Sequence, residues 1–569
     1  MVAPILTLAL FSGGATAQAR RAPKKPPVAA AAAASAAVDL DEPAKVPTAK
    51  KGPKGPAAPA PQAGQMTEAA AKAMRLVRLE KWEEAALALY GVYKGDTNDD
   101  EGNKQLAQYN LAISLYNLKY YQGSYAVFSE VAENSSHIKF NETLLWLAKL
   151  ATELPEPADI VERVGKYDEE AVAKFNNANQ KELYWQLNYL LGRYKYRNGQ
   201  FADAVSLFQK VARQSKFYVK AQFFAGISNV QQRNSVPAVE SFKNVVAAAE
   251  SGEVEEDGDR MHDLANLSIA RTLYSSSIKV DDTGTPQVLE APLSMAVRYW
   301  NKVDVGSEYW LDALFEESWA YFMAGDYAHA LGNVHSINAA YFPKSYYPEG
   351  EILKAVVYFS NCQYEDSATI VAKFQSKYQP IYDELNVVLK RFKDGGKEEE
   401  FYKFLQDVRV GKADLSPRIR SVVEAALSDR QLLRHLKYVE LLDKESERFK
   451  KSTPKMQTSP LGGDIKDSLQ LARDIAVRNA GTLARDRYQR NLAELEEQLR
   501  NAQKITIDIS SAQRNQLDTA IAGTQVSVQE SKANAVKGDP EHVVWPFNGE
   551  YWRDELGFYR QTITSKCGR

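Results

Sequence analysis

The chain has 569 residues, 44% hydrophobic and 25% charged, a globular composition at a length that requires several domains or one extended repeat array. Lys and Arg total 71 against 73 Asp and Glu, a balance that gives no whole-chain attraction to nucleic acid and sets that partner aside. Two cysteines, Cys362 and Cys567, make neither a disulfide framework nor a zinc ligand set; the residues favour one buried and one terminal thiol, with a single disulfide left open.

Residues 1–19 read as a signal peptide. "ILTLALF" is the apolar stretch, and Ala15 and Ala17 are small residues placed for cleavage before Gln18. No Lys or Arg precedes the apolar run, and no Cys follows it as a lipid attachment site. The expectation is export to the periplasm. No later stretch approaches the ~20 continuous apolar residues of a membrane span.

Residues 20–65 are rich in Ala, Pro, Lys and Gly, which reads as a disordered tether. Its basic excess (Arg20, Arg21, Lys24, Lys25, Lys45, Lys50, Lys51 and Lys54 against Asp39, Asp41 and Glu42) offers a contact to peptidoglycan or an anionic membrane surface. A solubilising spacer is the plainer alternative.

From residue 66 to 380 one phrase recurs: "KWEEAALALYGVY", "YYQGSYAVFSEVA", "QFADAVSLFQKVA", "DYAHALGNVHSI" and "QYEDSATIVAKF". An aromatic residue leads, a small one follows three later, and bulky ones follow at four and three. These offsets share one helical stripe. Gly192 and Gly226, Ala204 and Ala238, and Phe208 and Phe242 each stand one helix–turn–helix unit apart. A lone hairpin cannot bury its face, so the copies must stack as a solenoid.

These residues resemble the tetratricopeptide repeat family, most clearly in "LGRYKYRNGQFADAVSLFQKV" and "WAYFMAGDYAHALGNVHSINAAYFP". The copy around Trp146 is degenerate, and the one over Tyr274–Trp300 carries an insertion, "VDDTGTPQVLEAP". The resemblance implies an all-α fold, a right-handed superhelix of helix pairs. It also implies a concave partner-binding groove on the first helices, with Tyr109, Tyr116, Tyr189, Arg193, Tyr196, Phe223, Phe315, Trp319, Phe322 and Phe359 at the matching positions. Aromatics suit peptide or helix capture. Packing between neighbouring first helices is the competing reading.

Residues 381–535 continue as a helical extension. "STPKMQTSPLGGD" reads as a break, followed by a long helix from Asp464 to about Lys504. Tyr488, Leu492, Leu495 and Leu499 have coiled-coil seam spacing, and an antiparallel hairpin with the 416–451 region is equally open. "ITIDI" alternates like a strand but is too brief to read as one. Residues 536–569 concentrate Trp545, Phe547, Tyr551, Trp552, Phe558 and Tyr559, which predicts docking onto the solenoid or a partner. This segment is faintly similar to the aromatic C-termini of periplasmic tetratricopeptide proteins in myxobacterial gliding-motility and envelope machinery.

No catalytic constellation emerges. Asp281–Thr285 contains Asp-Thr-Gly without a second copy and reads as a turn. His137, His262, His329, His335, His435 and His542 have no metal-ligand spacing. No cofactor fingerprint is present. The expected function is a non-enzymatic scaffold joining envelope proteins, gliding motility being one such machine. The alternatives are a BamD-like or CpoB-like assembly factor, to which the "FP…YP" repeat endings are similar, or an envelope hydrolase using the 281–285 insertion.

Overall fold

The repeated phrase folds as helical hairpins. The computed structural model describes residues 60–252, 257–280, 286–342, 346–392, 396–427, 430–521, 538–541, 543–545 and 550–567. The signal peptide and most of the tether, together with Asp281–Thr285, Phe547 and His542, lie outside these residues.

Helices α1 (Glu68–Arg78) and α2 (Trp82–Lys94) form the first hairpin, and α3 (Glu101–Asn117) and α4 (Tyr121–Glu133) the second. The copy around Trp146 keeps its first helix, α5 (Thr143–Glu153). Its second is replaced by a 3-10 turn (Glu156–Ala158) and two short helices, α6 (Ile160–Val164) and α7 (Glu169–Ala173). Regular pairing resumes with α8 (Lys181–Arg197) and α9 (Phe201–Gln209), then α10 (Tyr218–Gln231) and α11 (Ser235–Glu250). The next pair, α12 (Gly258–Ser277) and α13 (Glu290–Trp300), is interrupted by a two-stranded hairpin, β1 (Ile278–Val280) and β2 (Pro286–Val288). The strands are antiparallel, with Ile278 opposite Val288. Two more pairs follow: α14 (Trp310–Ala324) with α15 (Tyr327–Ile337), and α16 (Pro348–Ser360) with α17 (Tyr364–Lys390).

One corner is reused along the array. Glu80, Lys119, Gly199, Arg233, Gly325 and Cys362 all have left-handed backbones, with φ from 56° to 79°. The next amide reaches back five residues in each case, for example Tyr120 to Leu115 at 2.9 Å and Gln363 to Tyr358 at 3.0 Å. This is the six-to-one bond of a Schellman ending, which satisfies carbonyls left over by the first helix. The residue after the corner is the N-cap of the second helix.

Packing explains the interval. A Cβ on Gly226 would lie 2.5 Å from the Phe242 ring, and one on Gly192 2.6 Å from the Phe208 ring. Glycine on the first helix is the socket for the aromatic of the second. Ala204 and Ala238 are wholly buried where the paired helices touch. The shared interior runs continuously from Ala70 to Leu314 and beyond.

Several boundaries differ from the sequence reading. Pro380 lies inside α17, because burial of Ile381 and Leu385 outweighs one lost backbone hydrogen bond. After α18 (Glu398–Arg409), α19 (Pro417–Leu427), α20 (Arg430–Phe449) and the short α21 (Pro454–Thr458), helix α22 runs over Pro460–Ile521. Its 62 residues absorb Gly462, Gly463 and the strand-like "ITIDI". Of the expected seam, Tyr488, Leu495 and Leu499 are buried and Leu492 is half-buried, and the Tyr488 hydroxyl donates to the Val423 carbonyl at 2.8 Å. Its partners are α16 to α20 together, and α22 also reaches α4. Helices α20 and α22 are antiparallel neighbours, linked by Arg473 to Asp443 at 2.7 Å. Among the described residues no helix is long and apolar enough to cross a membrane.

Candidate partner-binding surface

The aromatic stripe of the first helices is internal packing, which corrects the open-groove reading. Tyr196 is 2% exposed and Phe223 0%. Tyr189 packs against Phe217 and Phe224 of the next pair, with ring centroids 5.6 and 6.1 Å apart. Tyr196 meets Phe201 and Phe224 at 5.6 and 5.7 Å, and Phe223 meets Phe242 at 5.4 Å. Trp319 and Phe322 are buried, 5.8 Å apart. Tyr109, Tyr116, Phe315 and Phe359 are half-buried. Tyr109 accepts a hydrogen bond from Trp146 at 3.0 Å, and Tyr116 lies edge-on to Trp146 at 5.2 Å. Phe315 and Phe359 pack on Tyr347 and Tyr364, each at 5.5 Å. A seven-residue step places two side chains on one face; it does not say whether that face meets water or the next hairpin.

The helical C-terminal extension is held against the array by specific contacts. The N-terminus of α4 has no side-chain cap of its own. Glu445 of α20 supplies one, accepting from the Gln122 amide at 3.0 Å and the Gly123 amide at 3.2 Å. The Tyr438 hydroxyl donates to Gln122 at 2.7 Å, and Arg448 donates to the Lys119 carbonyl at the α3–α4 corner at 2.7 Å. Burial pushes the Glu445 carboxyl up to about 7, against the pull of the two amides.

A second anchor is built on the degenerate copy. Glu156 pairs with Arg193 and Arg197 of α8 and with Arg434 of α20. Burial alone would raise its carboxyl; the three guanidiniums outweigh that and hold it at about 2. Arg193, expected in the groove, lies 3.9 Å over the Phe224 ring and donates to the Tyr189 hydroxyl at 3.1 Å. Beside this anchor is a cavity of about 230 Å³ lined by Glu156, Gln431, Arg434, His435, Asn479 and Thr482, with Pro157 and Leu483 as its apolar wall.

The C-terminal segment lies across α14 to α16. Tyr551 stacks on His335 at 4.4 Å, and Tyr559 meets the same imidazole edge-on at 4.9 Å. The Gly557 amide donates to Ser336 Oγ at 2.9 Å, and the Gln561 and Lys566 amides donate to the Ala328 and Asn361 carbonyls at 3.0 and 2.9 Å. Gly332 makes the bed: a Cβ there would sit 1.6 Å from the Tyr559 carbonyl oxygen. Leu556 and Ile563 are buried, and Cys567 is joined to Cys362. The expected pair of separate thiols is therefore corrected: the strap carries Cys567 to the corner that holds Cys362. Trp545, Trp552 and Phe558 face outward at 59%, 42% and 65% exposure, the first two paired at 5.5 Å.

Glu156, Arg434 and Glu445 escaped the sequence reading, and the cysteine pairing stayed open there, because each joins residues far apart in the chain. Glu445, in helical step with the buried Tyr438, Leu442 and Phe449 of α20, was the one local trace. Among the described residues no group of three or more His, Cys, Asp or Glu could hold a metal ion.

No family model matches the chain, and no curated protein does. A solved structure of Rap protein complexed with competence and sporulation factor is similar at 12% identity, spanning 76% of this chain and 98% of that one, with a TM-score of 0.23. A likeness of that size carries no argument here. The hairpins, corners and continuous interior themselves define the class: an all-α helical-repeat solenoid with a helical C-terminal extension.

Proposed function

We propose that this chain is a non-catalytic adaptor of the tetratricopeptide type, exported to the periplasm, where it holds protein partners together in a cell-envelope assembly. Gliding motility is the machine we put first, on the likeness of the aromatic C-terminal segment. The observation that carries the adaptor reading is intramolecular. The array already captures an extended segment, 550–567, by backbone hydrogen bonds to its helices, two buried aliphatic anchors and aromatic stacking on His335. Peptide recognition by repeat arrays uses these contacts. Export is supported by the signal-like N-terminus and by a disulfide, which persists in oxidising compartments. The basic tether would add contact with peptidoglycan or an anionic membrane surface.

The outward aromatics Trp545, Trp552 and Phe558, rather than the buried stripe, are the residues we assign to partner contact. Crosslinking and mass spectrometry of the native protein in cells tests the reading. Crosslinks from 538–567 to other envelope proteins are expected, and a wholly cytoplasmic, full-length product without such crosslinks would refute it.

A further inference from the structure

We infer that the Cys362–Cys567 disulfide is a thiol-sensitive latch whose opening releases the C-terminal strap and uncovers an apolar seat on α14 to α16. Apart from the disulfide, the strap is held by hydrogen bonds to α14 to α16, by Tyr551 and Tyr559 on His335 and by two aliphatic anchors. Over 550–567 it has one 3-10 turn, Arg553–Glu555, and its deeply buried side chains are Leu556 and Ile563. Ordering so long an irregular segment costs conformational entropy at every residue, which these anchors, ring contacts and hydrogen bonds offset only in part. The covalent link decides the balance.

The latch is also reachable. Cys362 occupies the left-handed corner between α16 and α17, with φ 58°, where two other hairpins have Gly199 and Gly325. Both cysteines are half-buried, so a small dithiol can approach. Attack on one sulfur forms a mixed disulfide. The second thiol of the reagent then resolves it, leaving Cys362 and Cys567 as thiols and the reagent as its own disulfide. Two electrons and two protons pass to the protein.

The seat is complete without the strap. Trp319, Phe322, Leu331, Val334, Leu353 and Val357 form a cluster with Ile563, and all except Ile563 belong to helices paired independently of it. Release therefore exposes a preformed apolar trough fitted to an extended segment with an aliphatic anchor.

Hydrogen exchange with mass spectrometry on the full chain tests this. With the strap tethered at α22, the disulfide closes a loop of about 45 residues, worth roughly a thousandfold in the opening equilibrium. Treatment with dithiothreitol is expected to speed exchange at Gly557, Gln561 and Lys566 by about that factor, leaving α8 to α11 protected. Cys567→Ser should reproduce the pattern without reductant. Gly332→Ala, which fills the bed under Tyr559 but keeps both cysteines, should speed Gly557 and Gln561 while Lys566 beside the disulfide stays slow. Unchanged strap exchange after verified reduction overturns the inference, as does opening of α8 to α11 together with the strap, which would make the disulfide a staple of the whole fold.

Discussion

Replacing Gly226 by alanine separates a socket from an ordinary helix glycine by the sign of the effect. In an exposed helix this change stabilises by about 1 kcal/mol, because alanine loses less backbone entropy. Here the new methyl would lie 2.5 Å from Phe242 Cε1, 2.7 Å from Cδ1 and 2.8 Å from Cζ. The ring has little room to retreat: Phe242 is 1% exposed, and Phe223, one turn before Gly226 on the same helix, also packs on it at 5.4 Å. Overpacking of a full core costs about 1–3 kcal/mol, and contacts this short place it at the upper end. The net expectation is a loss of about 1–2 kcal/mol, read as a lower urea midpoint by circular dichroism. Phe242→Leu should relieve the clash, so the double variant should be less destabilised than the sum of the singles by about 1 kcal/mol or more. Gly463 provides the contrast, since nothing lies within 4 Å of its would-be Cβ; Gly463→Ala should raise the midpoint. A rise for Gly226→Ala as well would refute the socket account of the repeat interval.

Glu156→Gln should cost about 3 kcal/mol by removing the buried carboxylate that Arg193, Arg197 and Arg434 share, Arg197 keeping Asp159 at 3.0 Å, against less than about 1 kcal/mol for Glu133→Gln, whose partners Arg163 and Lys166 are partly exposed; paired urea titrations compare them. Burial also raises the carboxyls of Glu445, Glu317 and Glu349 to about 7 from an ordinary 4.5. Groups raised in the fold bind protons more tightly there than when unfolded, so the stability they contribute is complete below about 4.5 and is lost as pH rises towards 7, up to about 3 kcal/mol each. The melting temperature should fall from pH 5 to pH 8, and Glu445→Gln should flatten part of that fall; a rising curve would contradict it. Tyr196→Ala should destabilise the array by about 3 kcal/mol, as truncation of a buried aromatic does, and a normal melt would return Tyr196 to an open surface.

The hairpins were legible because their signals are local. A small residue, its aromatic partner and a corner recur within one unit, and each copy repeats the evidence. What closes the array was not. Gln122 and Glu445 are 323 residues apart, and no periodicity in either segment points to the other. Local signals also misled where burial overrode them. Pro380 was read as the end of the repeats, and Gly462 and Gly463 as a break. All lie inside helices whose buried faces outweigh a propensity penalty of about 3 kcal/mol for the proline and about 1 kcal/mol for each glycine. The stripe Tyr189, Tyr196 and Phe322 was located correctly on the first helices, but its surroundings are set by the next hairpin, which spacing alone does not describe.

Helix α22 changes the mechanics of the array. A stack in which each hairpin touches only its neighbours stretches, twists and frays like a spring. At about 1.5 Å per residue α22 is roughly 90 Å long, and it is joined to α4 towards one end and to α16 and α17 towards the other. It is a splint along the coil, so the spring loses its compliance, and tension applied at one end is borne by hairpins far from the point of load.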